Sequence, residues 1–148
     1  MGTTRDIELG ATELRLVNDL AGMATIAGWV EHFGAEQHLS PAVIGNLKTV
    51  FDEAVSNLIA YGYAEGDHGE IVLRLRRWSN EVEVEIEDDG APFDPLHLPP
   101  PNHPPPLAQR QAGGLGVDVY RNLMDQMSYQ RVRGHNVFKL IRNMIGDR

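Results

Sequence analysis

Two residues of this chain have the types and spacing to do chemistry together. They are Glu53 and Asn57, within Phe51-Asp52-Glu53-Ala54-Val55-Ser56-Asn57-Leu58-Ile59-Ala60-Tyr61-Gly62-Tyr63. Four residues apart on a helix, a carboxylate and a carboxamide stand one above the other on a single face. A carboxylate can take a proton from an attacking hydroxyl. A neutral amide oxygen can ligate a hard divalent cation without cancelling the charge that cation brings to a phosphate. The plain alternative is a pair of solvated polar residues on the outer face of a helix.

The helix that must carry them is marked at both ends. Ser40-Pro41 supplies an N-cap side chain followed by proline at the first helical position, where the missing N–H is not needed. Val43, Leu47, Val50, Ala54 and Leu58 recur at helical spacing, and Gly62 follows Tyr61 as a stop. Upstream, Ile7, Leu9 and Ala11 alternate with other residues and predict a short first strand. Leu14, Val17, Leu20, Met23, Ala24, Ala27 and Val30 then predict one long helix from about Glu13 to Phe33, stopped by Gly34. Downstream, Tyr63 to Gly69 reads as a turn. The runs Ile71 to Arg76 and Val82, Val84 and Ile86, separated by Ser79-Asn80, predict a hairpin with one buried face. Glu81, Glu83, Glu85 and Glu87 alternate with the second run. They are expected on a solvated strand face, since no other ligands converge on them as a metal site would require.

The second strand runs into Asp88-Asp89-Gly90-Ala91-Pro92-Phe93-Asp94, where the composition changes abruptly. Eight of the nine prolines lie from Pro92 to Pro106, which excludes regular structure to about Ala108 and predicts a loop or lid. A polyproline ligand for another domain is the alternative. Gly113-Gly114-Leu115-Gly116 then opens a helical pattern through Val119, Leu123, Met124 and Met127. Glycines before a helix let the backbone approach a ligand, and the helix N-terminus suits phosphate. The same cluster also reads as a flexible hinge. Ser128 to Val132 and Val137 to Ile141 predict two further strands turning at Arg133-Gly134-His135-Asn136. No two histidines stand at ligand spacing on one element, so no histidine metal site is expected.

Composition bounds the function. The 148 residues are 42% hydrophobic and 23% charged, as in an ordinary globular domain, and one domain over 1–148 is expected. With no cysteine, disulfides, thiolate metal sites and thiol nucleophiles are excluded. No apolar run approaches the roughly 20 residues that span a bilayer, and Met1 to Asp6 lacks the regions of a signal peptide, which predicts a cytoplasmic protein. A formal charge of −8 opposes direct binding of nucleic acid.

Taken in order, a helix with Glu-x-x-x-Asn, a strand ending in Asp-x-Gly and a glycine cluster opening a helix after a loop say more than any one of them alone. The residues are Glu53-Ala54-Val55-Ser56-Asn57, Asp88 to Asp94 and Gly113-Gly114-Leu115-Gly116, with Met124-Asp125 and Gly134-His135-Asn136 downstream. On these the chain resembles the nucleotide-binding domain shared by histidine kinases, type II topoisomerases and DNA-mismatch-repair ATPases. Within that group it is most similar to the small bacterial anti-sigma-factor serine/threonine kinases, over nearly its whole length.

The resemblance implies an α+β fold of the Bergerat ATP-binding type, a two-layer sandwich with a mixed, mostly antiparallel sheet and helices on one face. It implies ATP and Mg²⁺ as cofactors, with Asn57 holding Mg²⁺ against the phosphates and Glu53 acting as general base on an acceptor serine. Asp88 would accept from the adenine amino group, and Gly90 would let the base lie close to the backbone. Gly113, Gly114, Leu115 and Gly116 match the second glycine box, which meets the phosphates, and 92–112 would be the ATP lid. Activity would be phosphorylation of an anti-sigma antagonist, with a sigma factor as a further partner and a homodimer as the working state. Two residues depart from the pattern. Tyr61 stands where relatives often carry histidine or arginine, and Lys139 where a last-strand threonine is common. A non-catalytic, nucleotide-dependent binding switch is the competing expectation. The detached catalytic half of a histidine kinase is less expected, because no dimerising helical hairpin precedes these motifs.

Overall fold

The computed structural model describes residues 7–64, 66–97 and 116–144. The strands are β1 (Glu8–Val17), β2 (Glu70–Trp78), β3 (Glu81–Asp88), β4 (Gln126–Val132) and β5 (His135–Asn143). The helices are α1 (Ile26–Glu36), α2 (Pro41–Tyr61) and α3 (Gly116–Leu123), with a short 3-10 turn at Gly22–Thr25 before α1. The strands form one sheet in the order β1-β2-β3-β5-β4. Every pairing among the described residues is antiparallel, where a mixed sheet was expected. The two-layer α+β architecture is as the sequence implied.

The sequence of α2 dictates its limits. Ser40 Oγ accepts from Val43 N–H at 3.2 Å, Pro41 opens the helix, and the Gly62 N–H closes it on the Leu58 carbonyl at 2.8 Å. Val43, Leu47, Val50, Phe51 and Val55 are wholly buried against Ile71, Leu73, Leu75, Val82 and Val84 of the sheet. Full burial of each such aliphatic side chain stabilises by about 1.5–3 kcal/mol. The face carrying Asn57 is therefore held rigidly over the sheet.

The expected long helix over Glu13–Phe33 does not form. Glu13 to Val17 complete β1, and the helix starts only at Ile26. Leu14 fits the helical series with Val17 but shares a period of two with Leu16, and pairing of these two leucines with Leu73 and Ile71 on β2 decides for the strand. Trp29 of α1 donates to Thr12 Oγ at 3.1 Å and so pins that helix to β1. Gly34 does not stop α1. It lies within the helix, where a Cβ would come within 2.5 Å of Ile44 Cγ1, so its bareness lets α1 and α2 pack closely. The helical pattern read through Met127 ends at Leu123, because Met127 belongs to β4.

The sheet's second face corrects the solvated-glutamate expectation. Glu81 and Glu83 are 3% and 1% exposed. Neighbouring strands bring long cations over them: Arg76 contacts Glu83 at 2.8 Å, and Arg74 reaches Glu85 at 2.7 Å and Glu87 at 2.8 Å. Alkyl stems of arginine cover what a strand face alone would leave to water. No helix among the described residues is long and apolar enough to cross a membrane.

Candidate functional site

Glu53 and Asn57 face each other as their spacing predicts. Asn57 Nδ2 donates to Glu53 Oε2 at 2.7 Å, and Asn57 is buried while Glu53 is half-buried. A carboxylate only accepts hydrogen bonds, so this contact assigns the amide: nitrogen toward Glu53, Oδ1 turned away and available. The pair thus presents one oriented amide oxygen and one carboxylate oxygen that Asn57 does not engage.

The residues that follow each member, Ala54 and Leu58, form one wall of an apolar slot. Ile86, Phe93, Pro95, Tyr129 and Phe138 complete it, and Asp88 and Asn136 are its polar groups. Asp88 is 3% exposed, and its Oδ1 accepts from the Gly90 N–H at 2.8 Å and from Asn136 Nδ2 at 3.0 Å. Burial pushes its carboxyl above the ordinary range, although those two donors oppose the shift. Gly90 is confined, because a Cβ there would stand 2.6 Å from the Gly62 carbonyl oxygen and 3.0 Å from Asp88 Oδ1.

A flat apolar slot ending on a carboxylate suits a purine that offers an exocyclic amine, so the residues fit the base in kind. The free volume is only about 20 Å³, room for roughly one water. Phe93, which stacks on Tyr61 at 6.4 Å, and Pro95 fill the slot and must move for a base to enter. Roomier hollows of about 440 Å³ between β1 and β2 and about 260 Å³ between α1 and α2 lie outside this constellation. The first is an open shelf over the Glu13–Arg74 ion pair.

Several contributors were given no role by sequence reasoning. Asn136 lies opposite Asp88 in the β3–β5 register and makes four hydrogen bonds. Its Nδ2 donates to Asp88 and to the Ala91 carbonyl, while its Oδ1 accepts from Phe93 N–H at 3.1 Å and Tyr129 O–H at 2.5 Å. Lys139 points to the opposite face, toward Glu83 and Glu85, so its replacement of threonine does not touch the slot. The last-strand polar partner is Asn136. Tyr63 donates to Asp89 Oδ1 at 3.0 Å and Arg131 to the Gly90 carbonyl at 2.9 Å, tying both sides of the Asp88–Gly90 turn. Helix α3 places Tyr120, wholly buried, beside Asn57. Gly116 is the first residue of α3. Gly113, Gly114, Leu115 and the lid beyond His97 lie outside the described residues.

Residues 16–142 match the histidine kinase-like ATPase domain, and the chain belongs to that family. Among its relatives, the serine/threonine-protein kinase BtrW of Bordetella bronchiseptica is 33% identical over 108 residues, 73% of this chain and 76% of BtrW. The serine-protein kinase RsbW of Bacillus subtilis is 32% identical over 100 residues, 64% of this chain and 61% of RsbW. The crystal structure of the RsbU and RsbW domains of Rv1364c from Mycobacterium tuberculosis superposes with a TM-score of 0.65 at 16% identity. It covers 90% of this chain and 32% of that one, a likeness of fold. Both of these relatives are protein kinases, one named for serine and threonine and one for serine.

Proposed function

We propose that this chain is a single ATP-binding domain acting as an ATP- and Mg²⁺-dependent protein serine/threonine kinase. Its substrate class is an anti-sigma antagonist, and a sigma factor is a further partner of a homodimer. The observation that carries the reading is the 2.7 Å hydrogen bond between Asn57 and Glu53, one residue step from the slot that ends on Asp88. Kinship with RsbW- and BtrW-type kinases supports the substrate class.

ATP supplies the phosphoryl group that is transferred. Asp88 and Gly90 would receive the base, and the N–H groups of Gly113, Gly114, Leu115 and Gly116 would meet phosphate. Asn57 Oδ1 would hold Mg²⁺, a hard cation that a neutral amide oxygen suits. Glu53 accepts the acceptor hydroxyl's proton on the oxygen that Asn57 leaves free, and the hydrogen bond from Asn57 keeps that oxygen aimed.

Calorimetric titration with ATP, with and without Mg²⁺, tests binding in the wild type, Asn57→Ala and Asp88→Asn. Transfer of labelled phosphate to proteins of a cell extract tests catalysis in the wild type and Glu53→Ala. Glu53→Ala is expected to keep ATP affinity and to lose transfer by about 10²–10⁴-fold. Equal transfer by both proteins would remove Glu53 from the mechanism. The closed slot favours one competing reading, a binding switch that nucleotide opens without transfer. ATP binding with no phosphoprotein formed by the wild type would establish it.

A further inference from the structure

Tyr120 is the largest fully buried side chain among the described residues. Its ring packs edge-on against Phe138 at 5.2 Å, yet its hydroxyl has no hydrogen-bond partner among the described residues. A buried hydroxyl left unsatisfied is costly, and phenylalanine would fill the same space without that cost. The oxygen faces Asn57 and Glu53, short of hydrogen-bond geometry. No part of the mechanism above uses it.

We propose that Tyr120 is a positioning residue for the Asn57–Glu53 pair, its hydroxyl oxygen accepting from the second N–H of Asn57 Nδ2. The inference rests on the proposed role of Asn57. Asn57 Nδ2 carries two N–H groups and gives one to Glu53 at 2.7 Å, which leaves the other for the hydroxyl oxygen. Oδ1 then keeps both lone pairs for a cation, and the amide is held by two acceptors on its nitrogen. Rotating the amide by half a turn would set Oδ1 against the Glu53 carboxylate and break both contacts. The geometry also has a consequence for nucleotide binding. Tyr120 lies one turn into the helix that begins at Gly116, so phosphate held at the start of α3 is coupled mechanically to the oxygen that holds the metal.

Tyr120→Phe in the full chain deletes the hydroxyl and keeps the ring. In nucleotide-free protein, the ¹⁵N side-chain amide resonances of Asn57, identified by their absence from Asn57→Ala, are expected to shift in Tyr120→Phe. In calorimetry at saturating ATP, the Mg²⁺ concentration for half-binding is expected to rise about three- to tenfold, the worth of one hydrogen bond. ATP affinity without Mg²⁺ is expected to stay as in the wild type. Val55→Ala, which opens the core on the same helix, controls for general loosening and is expected to lower Tm while leaving both readouts in place. Unmoved Asn57 resonances in Tyr120→Phe, or equal changes in Val55→Ala, would overturn the proposal. If the resonances shift but the wild type binds no ATP, the contact stands and the kinase reading fails.

Discussion

Asn136 concentrates more of the slot's integrity in one side chain than any residue legible as functional beforehand. Asn136→Ala removes four hydrogen bonds at a position that is 2% exposed. It strands the Phe93 N–H and the Ala91 carbonyl and takes one of two donors from Asp88. At a net worth of about 0.5–1.5 kcal/mol each, and with water able to reach some of the freed groups beside the slot, the loss comes to about 3 kcal/mol. For a domain near this size that lowers Tm by roughly 6–12 °C. Urea unfolding of nucleotide-free protein at pH 7, followed by circular dichroism, reads it directly. A loss below about 1 kcal/mol would show that water replaces the amide freely and would refute the claim that it holds the slot together. Asn136→Asp sharpens the test. It sets a second carboxyl about 3.0 Å from Asp88 Oδ1, so its loss of stability is expected to be larger at pH 7 and to shrink as acid lets the pair share a proton.

Other outcomes follow from neighbouring contacts. Gly90→Ala drives a methyl against the Gly62 carbonyl, a backbone atom that cannot rotate away. A destabilisation of about 1–3 kcal/mol with a fall in ATP affinity is expected from unfolding curves and calorimetry. Acid stability has two opposed contributors. The Glu87 carboxyl is held below its usual range by the Arg74 hydrogen bond and, more weakly, by His135. Its stabilisation is full above the ordinary glutamate value of 4.5 and is lost as pH falls through its lower folded value. Asp88, raised by burial, does the reverse: its ionisation opposes folding at neutral pH, and the opposition is relieved as pH falls. At pH 7, Glu87→Gln is expected to unfold at lower urea than the wild type and Asp88→Asn at higher urea, with both gaps closing toward acid. An Asp88→Asn protein less stable than the wild type at pH 7 would contradict the sign.

The parts of this fold visible in sequence are those fixed by local rules. Ser40-Pro41 and Gly62 bracket α2 through backbone chemistry, and the alternation of Val82, Val84 and Ile86 sets the face of β3 before any neighbour is known. What failed depended on partners. Leu14 fits a helical series with Val17 and a strand series with Leu16 until β2 lies beside it. Glu83 is a surface residue by type, and Arg76 and Lys139 from adjacent strands cover its carboxylate. Asn136 shows the same limit at the site. Its amide is ordinary turn chemistry in sequence and becomes the partner of Asp88 only through the β3–β5 register. Glu53 and Asn57 were legible because one helix spaces them. Tyr120 was not, because its relation to them is purely tertiary.

That register also bears on how such a domain can change over time. Asp88 and Asn136 face the helices together because β4 and β5 turn at Arg133 and Gly134, both at positive φ, and β5 then pairs with β3 residue for residue. A single-residue insertion between the turn and Asn136 would bring a neighbour of opposite facing beneath the slot, since successive strand residues alternate sides. Substitutions along β4 can accumulate one at a time, whereas changes of length near the start of β5 must come in pairs or be absorbed by a bulge. The hairpin's length, more than its composition, is then the heritable constraint that keeps the slot at this end of the sheet.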